Sequence, residues 1–212
     1  LKKLKEIKNI VFDLGGVVLN IDFALTIDAF INLGVKNFAQ LYEKSHQYPT
    51  FDKFDKGLIS PVEFRNEMRK MLNLNLTDNQ IDSAWNAILL DFPPDNIHFL
   101  NELKKSHRTF LLSNTNAIHY PVYTKTLSNN FGIADLSVLF EKTYFSFQVG
   151  LRKPDKEIFE LLLNENHLIP EQTLFVDDSL PNIETASKLG IQTLLFIPEQ
   201  DNLAMSVSKK LF

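Results

Sequence analysis

Four short stretches of this chain carry residues that can do chemistry. Asp13 ends the apolar run Ile10-Val11-Phe12, with Gly15-Gly16 close behind it. Ser113-Asn114-Thr115 closes a second apolar run, Lys153 precedes Pro154, and Asp177-Asp178 closes a third run. Each lies at or just beyond a predicted strand, or opens a predicted helix. In a parallel sheet the strand ends share one edge, and open α/β sheets bind their ligands there. Two or three carboxylates with one ammonium make a hard-cation site, for which Mg²⁺ is the natural occupant. A hydroxyl and an amide beside them can hold phosphate oxygens. Lys153 can neutralise charge that develops on a phosphoryl group, and Asp13 would then be a nucleophile of the aspartyl-phosphate kind. Each piece alone also has a plain reading: a turn acid, a loop hydroxyl, a solvated lysine or a helix cap. The weight lies in the set.

The intervening segments must bring these four together. Residues 7 to 13 read as the first strand. From 20 to 91 the pattern is helical, with about four helices and no convincing strand. Ser60-Pro61-Val62-Glu63 and Thr77 with Gln80 are capping-box starts. The aromatic and charged stretch Tyr48 to Gly57 reads as a connection between helices. After Pro93-Pro94 the pattern alternates: helix 95–106, strand 109–113, helix 118–129, a short strand within 138–146, a helix from Pro154 to about 166, strand 173–176, helix 183–189 and strand 191–196. Alternation of this kind predicts an α/β fold, a Rossmann-like parallel sheet with helices on both faces. The helical block interrupts it after the first strand, so residues 1–19 and 92–212 form the core and 20–91 a helical-bundle insertion.

Composition narrows the function. The chain has 212 residues, which suits one α/β domain with a smaller insertion. A net charge of -4 argues against broad attraction to nucleic acid or an anionic membrane. No cysteine is present, so disulfides, thiol chemistry and cysteine metal sites are excluded. No apolar run reaches membrane-spanning length and no signal peptide is visible, so a cytoplasmic location is expected, with a monomer favoured. The histidines show no metal-ligand spacing. His98, His107, His119 and His167 read as surface residues, His46 can face a substrate, and Trp85 reads as packing in the helical block.

The ordered set Phe12-Asp13-Leu14-Gly15-Gly16-Val17, Leu112-Ser113-Asn114-Thr115-Asn116, Gly150-Leu151-Arg152-Lys153-Pro154 and Phe175-Val176-Asp177-Asp178-Ser179 resembles the four signatures of the haloacid dehalogenase-like (HAD) hydrolase superfamily. The resemblance is to its subgroup with a helical cap after the first strand, and within it to bacterial sugar-phosphate phosphatases of the alpha-glucose-1-phosphate phosphatase type. It implies that Asp13 is the nucleophile, Ser113 and Asn114 hold the phosphoryl group, and Lys153 bridges nucleophile and phosphate. It further implies that Asp178 and the Gly15 carbonyl bind Mg²⁺ together with Asp13, that Asp177 helps directly or through water, and that Asn182 orients the metal ligands from behind.

One position departs from the superfamily pattern. Most of its phosphatases carry an acid two residues after the nucleophile as general acid and base, a group worth about 10²–10⁴ in rate. Here that residue is Gly15, as in the sugar-phosphate subfamily. The leading expectation is a Mg²⁺-dependent phosphatase for a small phosphorylated metabolite. The alternatives are a non-catalytic phosphoester-binding or regulatory protein on the same fold, and a hydrolase of another type such as a dehalogenase. Substrate specificity is expected from His46, Tyr48, Phe51 and Phe54 in the inserted block, because the four signatures can hold little beyond the phosphoryl group.

Overall fold

The computed structural model describes residues 6–43 and 49–211. Five short strands, β1 (Asn9–Phe12), β2 (Arg108–Ser113), β3 (Lys142–Phe145), β4 (Thr173–Asp177) and β5 (Gln192–Leu195), form one parallel sheet in the order β3-β2-β1-β4-β5. The central three are buried on both faces, which is why they read as unbroken apolar runs rather than alternating ones. The chain leaves β1 for one edge through β2 and β3, then returns to the other through β4 and β5. The order therefore reverses at β1, and Asp13 stands just beyond that strand, at the reversal.

Strand alternation splits the core into two layers. Ile10, Phe12, Leu111, Leu174 and Val176 point to one face, covered by α6 (Pro94–Leu103), α7 (His119–Phe131) and α11 (Leu203–Leu211). Val11, Phe110, Leu112 and Phe175 point to the other, covered by α9 (Lys156–Glu165) and α10 (Leu180–Lys188). The α/β architecture anticipated from the sequence is present. The helix α11 has no counterpart in the sequence reading, and β1 is shorter than the predicted 7–13.

Between β1 and α6 lies an all-helical block: α1 (Phe23–Asn32), α2 (Phe38–Glu43), α3 (Pro49–Asp55), α4 (Pro61–Leu72) and α5 (Asp78–Asn86). Both capping boxes form, with Ser60 and Glu63 starting α4 and Thr77 and Gln80 starting α5. The block has its own apolar centre around Phe30, Phe38, Phe54, Phe64, Met68 and Ile81. An antiparallel bridge between Ile21 and Leu89 ties the chain where it enters and leaves the block. One element differs in kind from expectation. The Tyr48–Gly57 connection is helical from Pro49 to Asp55, because Phe51 and Phe54 share one face and bury it in the block. The short helix α8 (Ser146–Val149) of the core packs against α3. Among the described residues no helix is long and apolar enough to cross a membrane.

Candidate active site

At the sheet edge beyond β1 and β4, a buried lysine joins two carboxylates. Asp13 Oδ1 accepts from the Leu14 N–H at 2.7 Å and from Lys153 Nζ at 2.8 Å. The Lys153 side chain is 1% exposed and its ammonium also donates to Asp177 Oδ2 at 2.6 Å. Asp177, the last residue of β4, is wholly buried and accepts further bonds from the Ser179 N–H and the Asn182 amide. Burial opposes the charge on Lys153, but Asp13 and Asp177 outweigh it and hold the ammonium above its usual range. Burial pushes the Asp13 carboxyl up, against the pull of Lys153.

Asp178 completes the cluster. Burial, and then the charge of Asp177, raise its carboxyl to about 6. One oxygen each of Asp13, Asp177 and Asp178 lies within 4.8 Å of the others. Three carboxylates against one ammonium leave two negative charges, the charge of one divalent cation. The donors are all oxygens, the set that suits Mg²⁺ rather than zinc or copper. Asp177 already accepts from Lys153, Ser179 and Asn182. Asp13 and Asp178 therefore keep more of their lone pairs for a metal.

Ser113 ends β2 and is buried, with only a long 3.5 Å contact from its hydroxyl to the Asn114 carbonyl. Asn114 has a different use from Ser113. Its amide donates to the Lys153 carbonyl at 2.8 Å and its side-chain oxygen accepts from the Lys153 N–H at 2.9 Å. That reciprocal pair fixes the lysine backbone and leaves Asn114 its main-chain N–H and a second amide N–H as donors.

A cavity of about 520 Å³ opens above these residues, floored by Gly15, Ser113 and Lys153 and roofed by Phe51, Asp55 and Trp85 of the helical block. Of the residues expected to recognise substrate, Phe51 lines the cavity. Phe54 does not: it is 1% exposed and stacks on Phe64 at 4.0 Å between ring centroids, inside the block. Phe51 and Phe54 share the buried face of α3, Phe51 at its cavity edge and Phe54 deeper in the block, so the assignment of Phe54 to specificity is corrected to packing. His46 and Tyr48 lie outside the described residues.

The structure adds residues to which sequence reasoning gave no role. Asp55, at the end of α3, faces the cavity, with Arg152 Nη1 3.5 Å from its Oδ2 and 3.6 Å from Asp52 Oδ1. His119, expected on the surface, instead stacks face to face on Trp85 at 5.5 Å and contacts Asn86 Oδ1 through Nδ1 at 2.8 Å. Burial depresses its ring to about 3. Among the described residues, the buried Trp85 Nε1 and Arg152 Nε find no hydrogen-bond partner. A signal for Asp55 and Arg152 was present in the sequence, since both stand beside predicted site segments; nothing in their spacing distinguishes them from solvated surface charges.

A family model for haloacid dehalogenase-like hydrolases matches residues 7–190. The chain belongs to that family. It is 36% identical over 195 residues to a D-ribitol-5-phosphate phosphatase of Bacteroides thetaiotaomicron, covering 91% of this chain and 92% of that protein. A crystal structure of a HAD family enzyme from Bacteroides thetaiotaomicron, in complex with magnesium and inorganic phosphate, superposes with a TM-score of 0.81 at 36% identity, over 92% of this chain and 96% of the other. A HAD-like family hydrolase of Porphyromonas gingivalis superposes with a TM-score of 0.88 at 29% identity, over 98% of each chain.

Proposed function

We propose that this hydrolase is a Mg²⁺-dependent phosphatase of a small phosphorylated metabolite, a sugar or polyol phosphate, working through an aspartyl-phosphate on Asp13. The observation that carries the reading is the Asp13–Lys153–Asp177 arrangement beside Asp178 at the sheet reversal. A simple binding protein has no need of a carboxylate held by a buried ammonium on the floor of a cavity. The similarity to a D-ribitol-5-phosphate phosphatase supports the sugar or polyol class.

In this reading residues 1–19 and 92–212 are the catalytic core and 20–91 a cap that roofs the site. Asp13, Asp178 and the Gly15 carbonyl hold Mg²⁺, with Asp177 and Asn182 orienting them. Bound Mg²⁺ supplies charge neutralisation for the phosphoryl oxygens. Lys153 holds Asp13 in place and offsets charge as the phosphoryl group transfers. The free Asp13 oxygen attacks phosphorus, Ser113 and the Asn114 N–H receive the equatorial oxygens, and the cap excludes bulk water. Water then cleaves the acyl phosphate and regenerates the Asp13 carboxylate.

The test is a panel of sugar and polyol phosphates, with and without Mg²⁺, on the wild type and Asp13→Asn. Mg²⁺-dependent phosphate release by the wild type, abolished in a variant of unchanged melting temperature, is expected. Wild-type rates in Asp13→Asn would sink the nucleophile assignment, and no release on any substrate would sink the phosphatase reading.

A further inference from the structure

Position 15 offers no side chain, yet an alkoxide leaving group needs a proton as its bond to phosphorus breaks. We propose that Asp55, reaching down from the helical block, is the general acid and base of this reaction. The inference rests on the phosphatase reading above and names a group that reading lacks.

Among the described residues, elimination through the proton-bearing groups of the cavity wall leads to Asp55. Lys153 is committed to two carboxylates, and its deprotonation would leave both uncompensated in a buried site. The Arg152 guanidinium offers hydrogen-bond donors and no acceptor that could take a proton from water. Burial lifts Tyr42 and Tyr123 above the usual phenol range. His119, pinned between Trp85 and Asn86, stays neutral. Asp52 and Asp155 are half exposed, at 46% and 47%, and each meets Lys56 at 3.2 Å. Asp55 remains, at 22% exposure.

The surrounding charges favour a proton there. Among the described residues, Asp52, Asp55 and Asp155 pair with two cations, Lys56 and Arg152. One negative charge is left over, and the most buried carboxylate loses least by being neutral. Burial accordingly raises Asp55 to about 6, with Arg152 pulling the other way. Asn116 orients the group. Its side-chain oxygen already accepts from the Ile118 and His119 N–H groups at the start of α7, so it is the amide N–H that bonds Asp55.

The steps balance. As Asp13 Oδ bonds to phosphorus and the ester P–O bond breaks, the Asp55 carboxyl gives its proton to the departing oxygen, which leaves as the alcohol. Asp55, now a carboxylate, takes a proton from the water that attacks phosphorus. The bond to Asp13 breaks, inorganic phosphate leaves, and Asp55 is protonated again.

The test compares D-ribitol 5-phosphate, whose leaving group needs the proton, with p-nitrophenyl phosphate, whose leaving group does not. Asp55→Asn is expected to lose about 10²–10⁴ in kcat/KM on ribitol phosphate and at most about tenfold on the aryl ester. On the aryl ester the variant should release a burst of about one p-nitrophenol per chain, because the step needing a base is slowed. Asp55→Glu should restore the wild-type order of the two substrates. Equal losses on both esters, or no loss on ribitol phosphate, overturn the assignment of Asp55 and leave the phosphatase reading intact. No hydrolysis of either ester by the wild type with Mg²⁺ overturns both.

Discussion

Gly16 lies directly against Asp178: a Cβ at position 16 would overlap the Asp178 carboxylate, and the backbone there has φ of 75°. The second glycine of the first signature thus makes room for a side chain 162 positions later in the chain. Gly16→Ala must both strain the turn and displace the proposed metal ligand. Expected is a ten- to hundredfold weaker Mg²⁺ activation, about the loss that follows when a ligand's supporting contacts are removed. A Mg²⁺ titration of phosphatase rate checks it; wild-type activation would mean that Asp178 takes no part in holding the ion.

Lys153 is the hinge of the site's electrostatics. Replacing it with Met leaves Asp13 and Asp177 facing each other without an ammonium. Breaking a buried pair of this kind costs about 3–5 kcal/mol. The metal-free variant should therefore melt well below the wild type, and Mg²⁺ should recover more stability in the variant than in the parent. Thermal denaturation with and without the ion measures both, and an unchanged melting temperature would contradict the burial argument.

The two phenylalanines of α3 should separate cleanly. Phe54→Ala opens a void beneath Phe64 and is expected to cost about 3–5 kcal/mol of stability. Phe51→Ala touches the cavity as well as the block, so it should raise KM for sugar phosphates beyond any loss of stability. Denaturant titrations alongside KM measurements decide, and a KM effect confined to Phe54→Ala would reverse the assignment.

Asp55 ties catalysis to stability. Its carboxyl rises from 3.8 to about 6 on folding, chiefly through burial. The folded chain then holds an extra proton between those values. By linkage, this group's contribution to stability is greatest below pH 4 and is lost as pH climbs toward 6. Asp55→Asn removes that slope, so the variant should gain on the wild type as pH rises from 4 to 7. Melting temperatures across this range test it; parallel curves would show that the group does not titrate with folding.

Much of this architecture is legible in the residues themselves. Runs such as Leu111-Leu112 and Phe175-Val176 are apolar because the strands are covered on both sides, and the capping boxes at Ser60 and Thr77 mark helix starts that local hydrogen bonding alone dictates. What is not legible is set by long-range geometry. The Tyr48–Gly57 stretch reads as a linker until Phe64 and Trp85 arrive to bury one side of it. The Asn114 side chain reads as a phosphate ligand, and its engagement with the Lys153 backbone depends on a segment 39 residues away. His119 reads as exposed because the ring that covers it, Trp85, comes from another part of the chain.

That stacked pair also gives the molecule a built-in optical probe. Trp85 is the chain's single tryptophan, it sits in α5, and its ring lies parallel to the imidazole of His119 in α7. With the imidazole held neutral down to about pH 3, proton quenching does not vary across the working range. A change in indole emission on adding substrate or phosphate then reports on this stack, through ligand contact in the cavity that Trp85 lines or through movement of the two helices, without a label.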